Sequence, residues 1–486
     1  MIILKSNTMK NAYYNILKTL AVIIFPIITF SYASRIFLSE GMGQINFAKS
    51  LVAIFTLIAM LGIESYGTRE GARLRDDKKK LSEFFKEIFL INVIAGIVSY
   101  IVLFALMYFS DKVYAYKPII LITSLLIGLT VIGVEWLYYA VEDYRFIAIR
   151  TCWMQIIALI LLIVFVHDQN DLLKYVAIQL FATGGAYLIN FFHARKYIDW
   201  TVKIKWRLKR HLKPILYLFL MTFLIKIFTE LDVTMLGVLA GDRATGLYSS
   251  AHKISMVLSS MLGAVIGVML PKMSYLSGKG DSEEIDGLLK NGINFLLLIG
   301  LPLVVGSYIF SSNFLEILSG HDFLKAEFCS QVLSFRSLLS PLNGLFVTNY
   351  LMSMKKDKQC ICITGVAAVI NIVTNYILIP LYQQDGAAFA TVLAESFELI
   401  VNLFIVGRMT SISFMFYKTW KYFLATLIMI PITCIFKLFV SNIVLQLVAG
   451  TMVSALVYFF TLYIMKCTFL DRIIQIIKKK LSLQHP

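Results

Sequence analysis

The chain is 486 residues long, 59% hydrophobic and 15% charged, with a formal net charge of +16 and a mean hydropathy of +0.78. A soluble chain carries about 25% charged and 45–50% apolar residues, so no water-soluble fold hides this much apolar surface, and lipid must be the solvent for most of it. The basic balance is not that of a nucleic-acid binder, because Lys and Arg sit in short segments between apolar runs, as a membrane orientation signal requires.

The predicted elements, in chain order, are apolar spans near 14–37, 44–66, 84–109, 118–140, 146–166, 172–192, 214–239, 246–270, 289–312, 328–352, 360–380, 386–407, 418–438 and 443–466. Each is close to the 20 or so residues that an α-helix needs to cross a bilayer. Long apolar runs with internally satisfied backbone groups mean helices, not strands. The fold class expected is an all-α polytopic membrane protein of about 14 transmembrane helices. The first run, Leu17 to Phe30, continues to Phe37 without a small-residue cleavage site, so it reads as a retained helix; Met9 offers a second initiator.

With the N-terminus inside, cytoplasmic segments and the span ends that meet them hold 34 of the 45 basic residues, outside loops seven (Arg35, Lys112, Lys117, Lys174, Arg243, Lys325 and Lys437), and the spans the other four, Lys49, Lys226, Lys253 and Arg336. The inside set includes Arg69, Arg73, Arg75 and Lys78–Lys80, then Arg195 to Lys213, and Lys478, Lys479 and Lys480 at the end. That asymmetry places both termini in the cytoplasm. The longest loop, about 193–213, carries Trp200 and Trp206 and is expected to lie along the membrane surface. No extramembrane segment is large enough for a soluble catalytic domain. A membrane polymerase or ligase would need a large outside loop, and the longest, near 110–118 and 313–327, are short. The chain is therefore not expected to be an enzyme. No Gly-rich run ends in Gly-Lys-Ser/Thr, so ATP hydrolysis is not expected, nor any cofactor. The six cysteines lie mostly within apolar runs; Cys360 and Cys362, two apart on a helix, face different ways, and no metal site is expected.

Two halves of the chain echo each other. Gly43 to Ala48 meets Gly246 to Ala251 at a shift of 203, and Asp168 to Asp171 meets Tyr382 to Asp385 at a shift of 214. The expected domains are a six-helix lobe (1–195), a basic connecting segment (196–213), a second six-helix lobe (214–410), and helices 13 and 14 with a basic tail (411–486). Six is an even number, so the copies share an orientation and are expected in a pseudo-two-fold arrangement about the membrane normal. That is the architecture of an alternating-access transporter.

The stretch Asn375 to Thr391, with Glu395, resembles the span 11–12 signature of the multidrug/oligosaccharidyl-lipid/polysaccharide exporter superfamily. Tyr66 to Arg73 resembles the loop after span 2 in its Wzx-type O-antigen flippase branch, and Gly246 to Lys253 the start of span 8. Gln383 stands where that family usually has Gly, and Gly71 where a larger apolar residue is usual. Pro380 can end span 11, and Gly386, Ala387, Ala388 and Ala390 give span 12 a close-packing start.

The resemblance implies a flippase in the bacterial inner membrane. It would carry an undecaprenyl-diphosphate-linked oligosaccharide, an O-antigen repeat unit of lipopolysaccharide or similar, from the cytoplasmic to the periplasmic leaflet. Its partners would be the polymerase and chain-length regulator of the same pathway. A cation-coupled drug antiporter of the same superfamily is the alternative. A diphosphate cannot cross hydrocarbon unaided, so Lys and Arg at membrane depth are the expected contacts. The candidates for substrate binding are Lys226, Arg336, Lys253, Lys49 and Arg35. Those for coupling or gating are Glu230, which can pair with Lys226, together with Glu395, Glu398, Glu64 and Glu135. Arg69 or Arg150 is the expected partner for Glu64 and Glu135. Asp232 is expected at the interface; His167 and His252 show no partner in sequence.

Overall fold

The computed structural model describes residues 2–411, 416–472 and 475, and their side chains except those of 2–12, 16, 221, 225, 228 and 229. Lys478, Lys479 and Lys480 lie outside the described residues. Every described element is a helix, and the chain forms two compact units, Met1–Gly246 and Leu247–Pro486.

The first unit holds α1 (Ile2–Met60), α2 (Ile63–Leu74), α3 (Lys78–Phe109), α4 (Asp111–Ala115), α5 (Lys117–Gly133), α6 (Glu135–Ala140), α7 (Tyr144–Phe165), α8 (Leu172–Leu180), α9 (Ala186–His193) and α10 (Lys209–Leu239). Helix α11 (Asp242–Gly267) leads into the second unit, which continues with α12 (Met269–Lys279), α13 (Ser282–Ile309), α14 (Ser311–Ser319), α15 (Glu327–Gly344), α16 (Asp357–Gly407), α17 (Trp420–Phe439) and α18 (Ile443–Ile464). Among the described residues, ten stretches are long and apolar enough to cross a membrane. Two of these contain a non-helical residue, Leu38 in α1 and Gln383 in α16, and each holds two predicted spans. With α10 and α15, all fourteen predicted spans are helical, and the protein is a multi-pass membrane protein.

The spans end where interfacial capping begins. Asp77 accepts from the backbone of Lys79 and Lys80 to start α3, Asp281 from Glu284 to start α13, and Asn442 from Leu445 to start α18, which satisfies backbone donors that lipid cannot. Hydropathy missed α2 and α12, because both are amphipathic continuations beyond the apolar runs of spans 2 and 8. Neighbouring helices are tied by polar side chains that reach the next backbone: Asn92 Nδ2 donates to the Ala59 carbonyl and Ser99 Oγ to that of Phe55, each at 2.6 Å.

Gly71, the family departure, faces Ala140 and Trp136, and a Cβ there would stand 3.0 Å from each. Gly67 lies still closer to the Trp136 ring, at 2.6 Å. The indole occupies the volume that a larger apolar residue would fill. Gln383 adopts φ 51°, ψ −126°, the first central position of a type II′ turn, which glycine takes without strain. In span 12, Gly386 packs on the backbone of Leu378, 2.3 Å from a built Cβ to its carbonyl oxygen, and Ala387, Ala388 and Ala390 are fully buried.

Candidate functional site

Two broken helices each open on an acid in the first unit. Gly62 (φ 72°) separates α1 from α2 and sets Glu64 in the first turn of α2. Val134, also left-handed (φ 38°), separates α5 from α6 and sets Glu135 in the first turn of α6. Carboxylates are favoured at these positions by the unsatisfied amides of a helix start.

Glu64, Glu135 and Lys226 line one cavity of about 290 Å³. The hydroxyls of Thr56, Ser65, Thr130 and Thr222 and the rings of Trp136 and Tyr187 complete its wall. Glu135 is held from two sides: Lys18 Nζ stands 2.6 Å from its Oε1, and Arg150 Nη2 3.5 Å from the same atom. Lys18 also donates to the Tyr139 hydroxyl. Arg150 is the partner expected for Glu135. Lys18 is one that the sequence did not single out; the only signal is its place inside the predicted span 14–37, four residues from its start. Arg69 is not a partner of these acids. It and Arg73 bind Glu70 instead, at 3.2 and 3.1 Å, one turn along the same helix. Lys226 Nζ lies 3.6 Å from Glu230 Oε1, as its i,i+4 spacing requires. The cavity is thus balanced in charge, with Lys18, Arg150 and Lys226 set against Glu64, Glu135 and Glu230.

Lys49 and Arg35 are not among the residues lining that cavity. Lys49 Nζ sits 5.4 Å above the Tyr175 ring, and Arg35, exposed, donates through Nη1 to the carbonyl and hydroxyl of Ser31 at 2.6 Å each. Asp232, expected at the interface, is buried within the protein, at 2% exposure.

In the second unit, Arg336 and Glu395 form a buried ion pair, Nε to Oε1 at 3.0 Å. Asn343 Nδ2 donates to the Glu395 carbonyl at 2.9 Å, and Asn402 Nδ2 to Asn343 Oδ1 at 3.1 Å. Glu398 accepts from Thr364 Oγ1 at 2.9 Å. Lys253 is half-buried. His252 stacks on Tyr248, ring centroids 5.6 Å apart, and the backbone of His167 binds Asp171 at 2.9 Å.

A further acid lies in α3, nine residues beyond its first. Glu87, 1% exposed, accepts from Arg210 Nη2 at 2.5 Å and from the Arg207 amide at 2.7 Å, and lies 2.8 Å from His211 Nε2. The Tyr66 hydroxyl meets the other ring nitrogen of His211 at 2.8 Å. Lys86 Nζ donates to the carbonyls of Trp200 and Val202, and Trp200 stands edge-on to Phe85. The basic loop is therefore fastened to α3. Within it, the hydroxyl and amide of Thr201 hold the Asp199 carboxyl below the usual carboxylate range.

The family model described as "Polysaccharide biosynthesis protein" matches residues 8–277, and the MatE model residues 218–377. The chain is 20% identical over 390 residues to a "Putative O-antigen transporter" of Escherichia coli (strain K12), covering 79% of this chain and 92% of that protein. It is 24% identical over 232 residues to a probable low-salt glycan biosynthesis flippase of Haloferax volcanii, a match spanning 48% of this chain and about half, 49%, of that relative. Among solved structures, the lipid II flippase MurJ in an inward closed conformation aligns with a TM-score of 0.72 at 17% identity, over 94% of this chain and all of that one. An inward-facing MATE family transporter aligns at 0.62 and 15% identity, over 82% and 97%. At these identities the likeness is one of fold.

Proposed function

We propose that this chain, which belongs to the polysaccharide biosynthesis protein family, is a flippase for lipid-linked oligosaccharides. The observation that carries this reading is the polar cavity of the first unit, set at the level of apolar spans and lined by Lys226, two carboxylates and four hydroxyls. A sugar head needs hydrogen-bonding groups at membrane depth, and its phosphate needs a cation.

Lys226 supplies that cation. Its contact with Glu230 is long, at 3.6 Å, and Lys226 lines the cavity, where a phosphate oxygen can take the place of Glu230. Glu135 already has two cations and does not compete for it. The lipid is an undecaprenyl diphosphate and the sugar an O-antigen or similar repeat unit; the head crosses while the tail stays in the bilayer. Loop charges support cytoplasmic termini and a bacterial inner membrane, beside the polymerase and chain-length regulator of the same pathway. The acids Glu64, Glu135, Glu230, Glu395 and Glu398 are the groups through which a cation or proton would couple.

The MatE match over residues 218–377 favours one other reading, a cation-coupled drug antiporter. The test is transport in proteoliposomes: a fluorescent undecaprenyl-diphosphate oligosaccharide, quenched from outside by a membrane-impermeant reagent, should exchange leaflets with the purified protein and slow markedly with Lys226→Ala. Efflux of cationic dyes with no movement of the sugar lipid would establish the antiporter instead.

A further inference from the structure

Away from that cavity, α7 and α9 enclose a second crevice of about 490 Å³. Its α7 wall is a stripe at four-residue spacing: Arg145, Ile149, Trp153 and Ile157. Residues so spaced share one helix face and descend roughly 18 Å from the first to the last. Ile189 of α9 faces them, and Lys196 closes the basic end. Trp153 is 61% exposed in the chain alone, and Ile149, Ile157 and Ile189 are exposed as well. The wall therefore opens onto lipid. The crevice grades from two cations at the mouth to an apolar groove that holds the Trp153 indole eight residues, about 12 Å, along α7 from Arg145.

Neither Arg145 nor Lys196 makes an ion pair among the described residues; Lys196 lies over the Tyr197 ring at 5.1 Å. One carboxylate shares the wall, Asp143, and both its oxygens are engaged, Oδ1 by the Phe146 amide at 3.3 Å and Oδ2 by the Tyr197 hydroxyl at 2.6 Å. Two lining residues carry buried nitrogens that have no hydrogen-bond partner among the described residues, Nε of Arg150 and Nδ1 of His193. Arg150 is only 6% exposed. His193 is held flat against Phe146, ring centroids 3.8 Å apart. Buried polar atoms of this kind take an ordered water or an ion as partner.

We propose that this crevice binds an anionic glycerophospholipid from the leaflet on the basic face, with the phosphate between Arg145 and Lys196 and an acyl chain along Ile149, Trp153 and Ile157. A free phosphate has the same head chemistry but makes no use of the apolar wall. A zwitterionic lipid uses the wall but carries its own cation to the basic mouth.

The test is native mass spectrometry of the full chain released from detergent with added dioleoylphosphatidylglycerol. The wild type should retain the lipid, and Arg145→Ala/Lys196→Ala should lose about ten-fold or more in affinity, since each basic residue near an anionic headgroup contributes about five-fold. Arg145→Lys in the presence of Lys196 should restore most of it, and Trp153→Ala should weaken retention with the charges intact. Both cations are exposed, so folding, followed by size-exclusion profile, should not change. Equal retention by the double variant, equal retention of dioleoylphosphatidylcholine, or displacement by millimolar inorganic phosphate would each overturn the assignment.

Discussion

Gly43 and Gly246 lie against one another: a Cβ built on Gly246 stands 3.1 Å from the amide nitrogen of Gly43 and 1.8 Å from the carbonyl oxygen of Ser39. A Cβ on Gly43 stands 1.8 Å from the carbonyl oxygen of Asp242. Ser39 and Asp242 are 203 residues apart, and so are the two glycines, so one contact occurs twice with the partners exchanged. The left-handed residues Leu38 (φ 56°) and Gly241 (φ 87°) keep the same spacing.

Gly43→Ala should therefore destabilise the protein by about 1–3 kcal/mol, the range for overpacking, since the obstruction is backbone and cannot rotate away. Gly263→Ala is the control, because nothing lies within 4 Å of a Cβ there. Thermal unfolding in detergent, followed by size-exclusion fluorescence, separates the two. Equal melting temperatures would mean that the helices do not approach so closely.

Gln383→Gly should do the opposite. The side chain is exposed, so removing it loses little packing, and the positive φ becomes unstrained. The expected gain is about 1 kcal/mol, after allowing for the looser unfolded chain that glycine brings. The same melting assay reads it, and a lower melting temperature would contradict the turn geometry.

The Arg336–Glu395 pair is buried on both sides. Arg336→Met or Glu395→Gln alone leaves an uncompensated group and should cost roughly 3–5 kcal/mol. The double variant should lose clearly less than the sum. Additive losses in a double-mutant cycle would show that the two do not interact.

Glu87→Ala should unfasten the basic loop. Lys203, Lys205 and Arg207 are already exposed, so limited trypsin digestion should cut within 200–208 several-fold faster in the variant. An unchanged digestion rate would show that Trp200 and Lys86 hold the loop alone.

The spans were legible because a lipid solvent leaves a long apolar run, and the helices at 209–239 and 443–464 begin or end within a few residues of their predicted limits. The partners of the charges were legible only where helix spacing fixes them, as for Lys226 and Glu230, or where the two spans are neighbours, as for Glu135 and Arg150. Lys18 reaches Glu135 across 117 positions, and Glu87 reaches Arg210 across 123. No local pattern encodes such pairings. Arg69 was given the wrong acid because Glu70 and Arg73, one turn apart, compete at shorter range.

The breaks at Leu38 and Gln383 join consecutive spans through a single non-helical residue. At each of these places the polypeptide leaves almost nothing standing clear of the bilayer for an antibody, a phage or a protease to grip. Epitope tags meant to report topology on that face belong elsewhere, in the longer connections around 110–116 and 310–326.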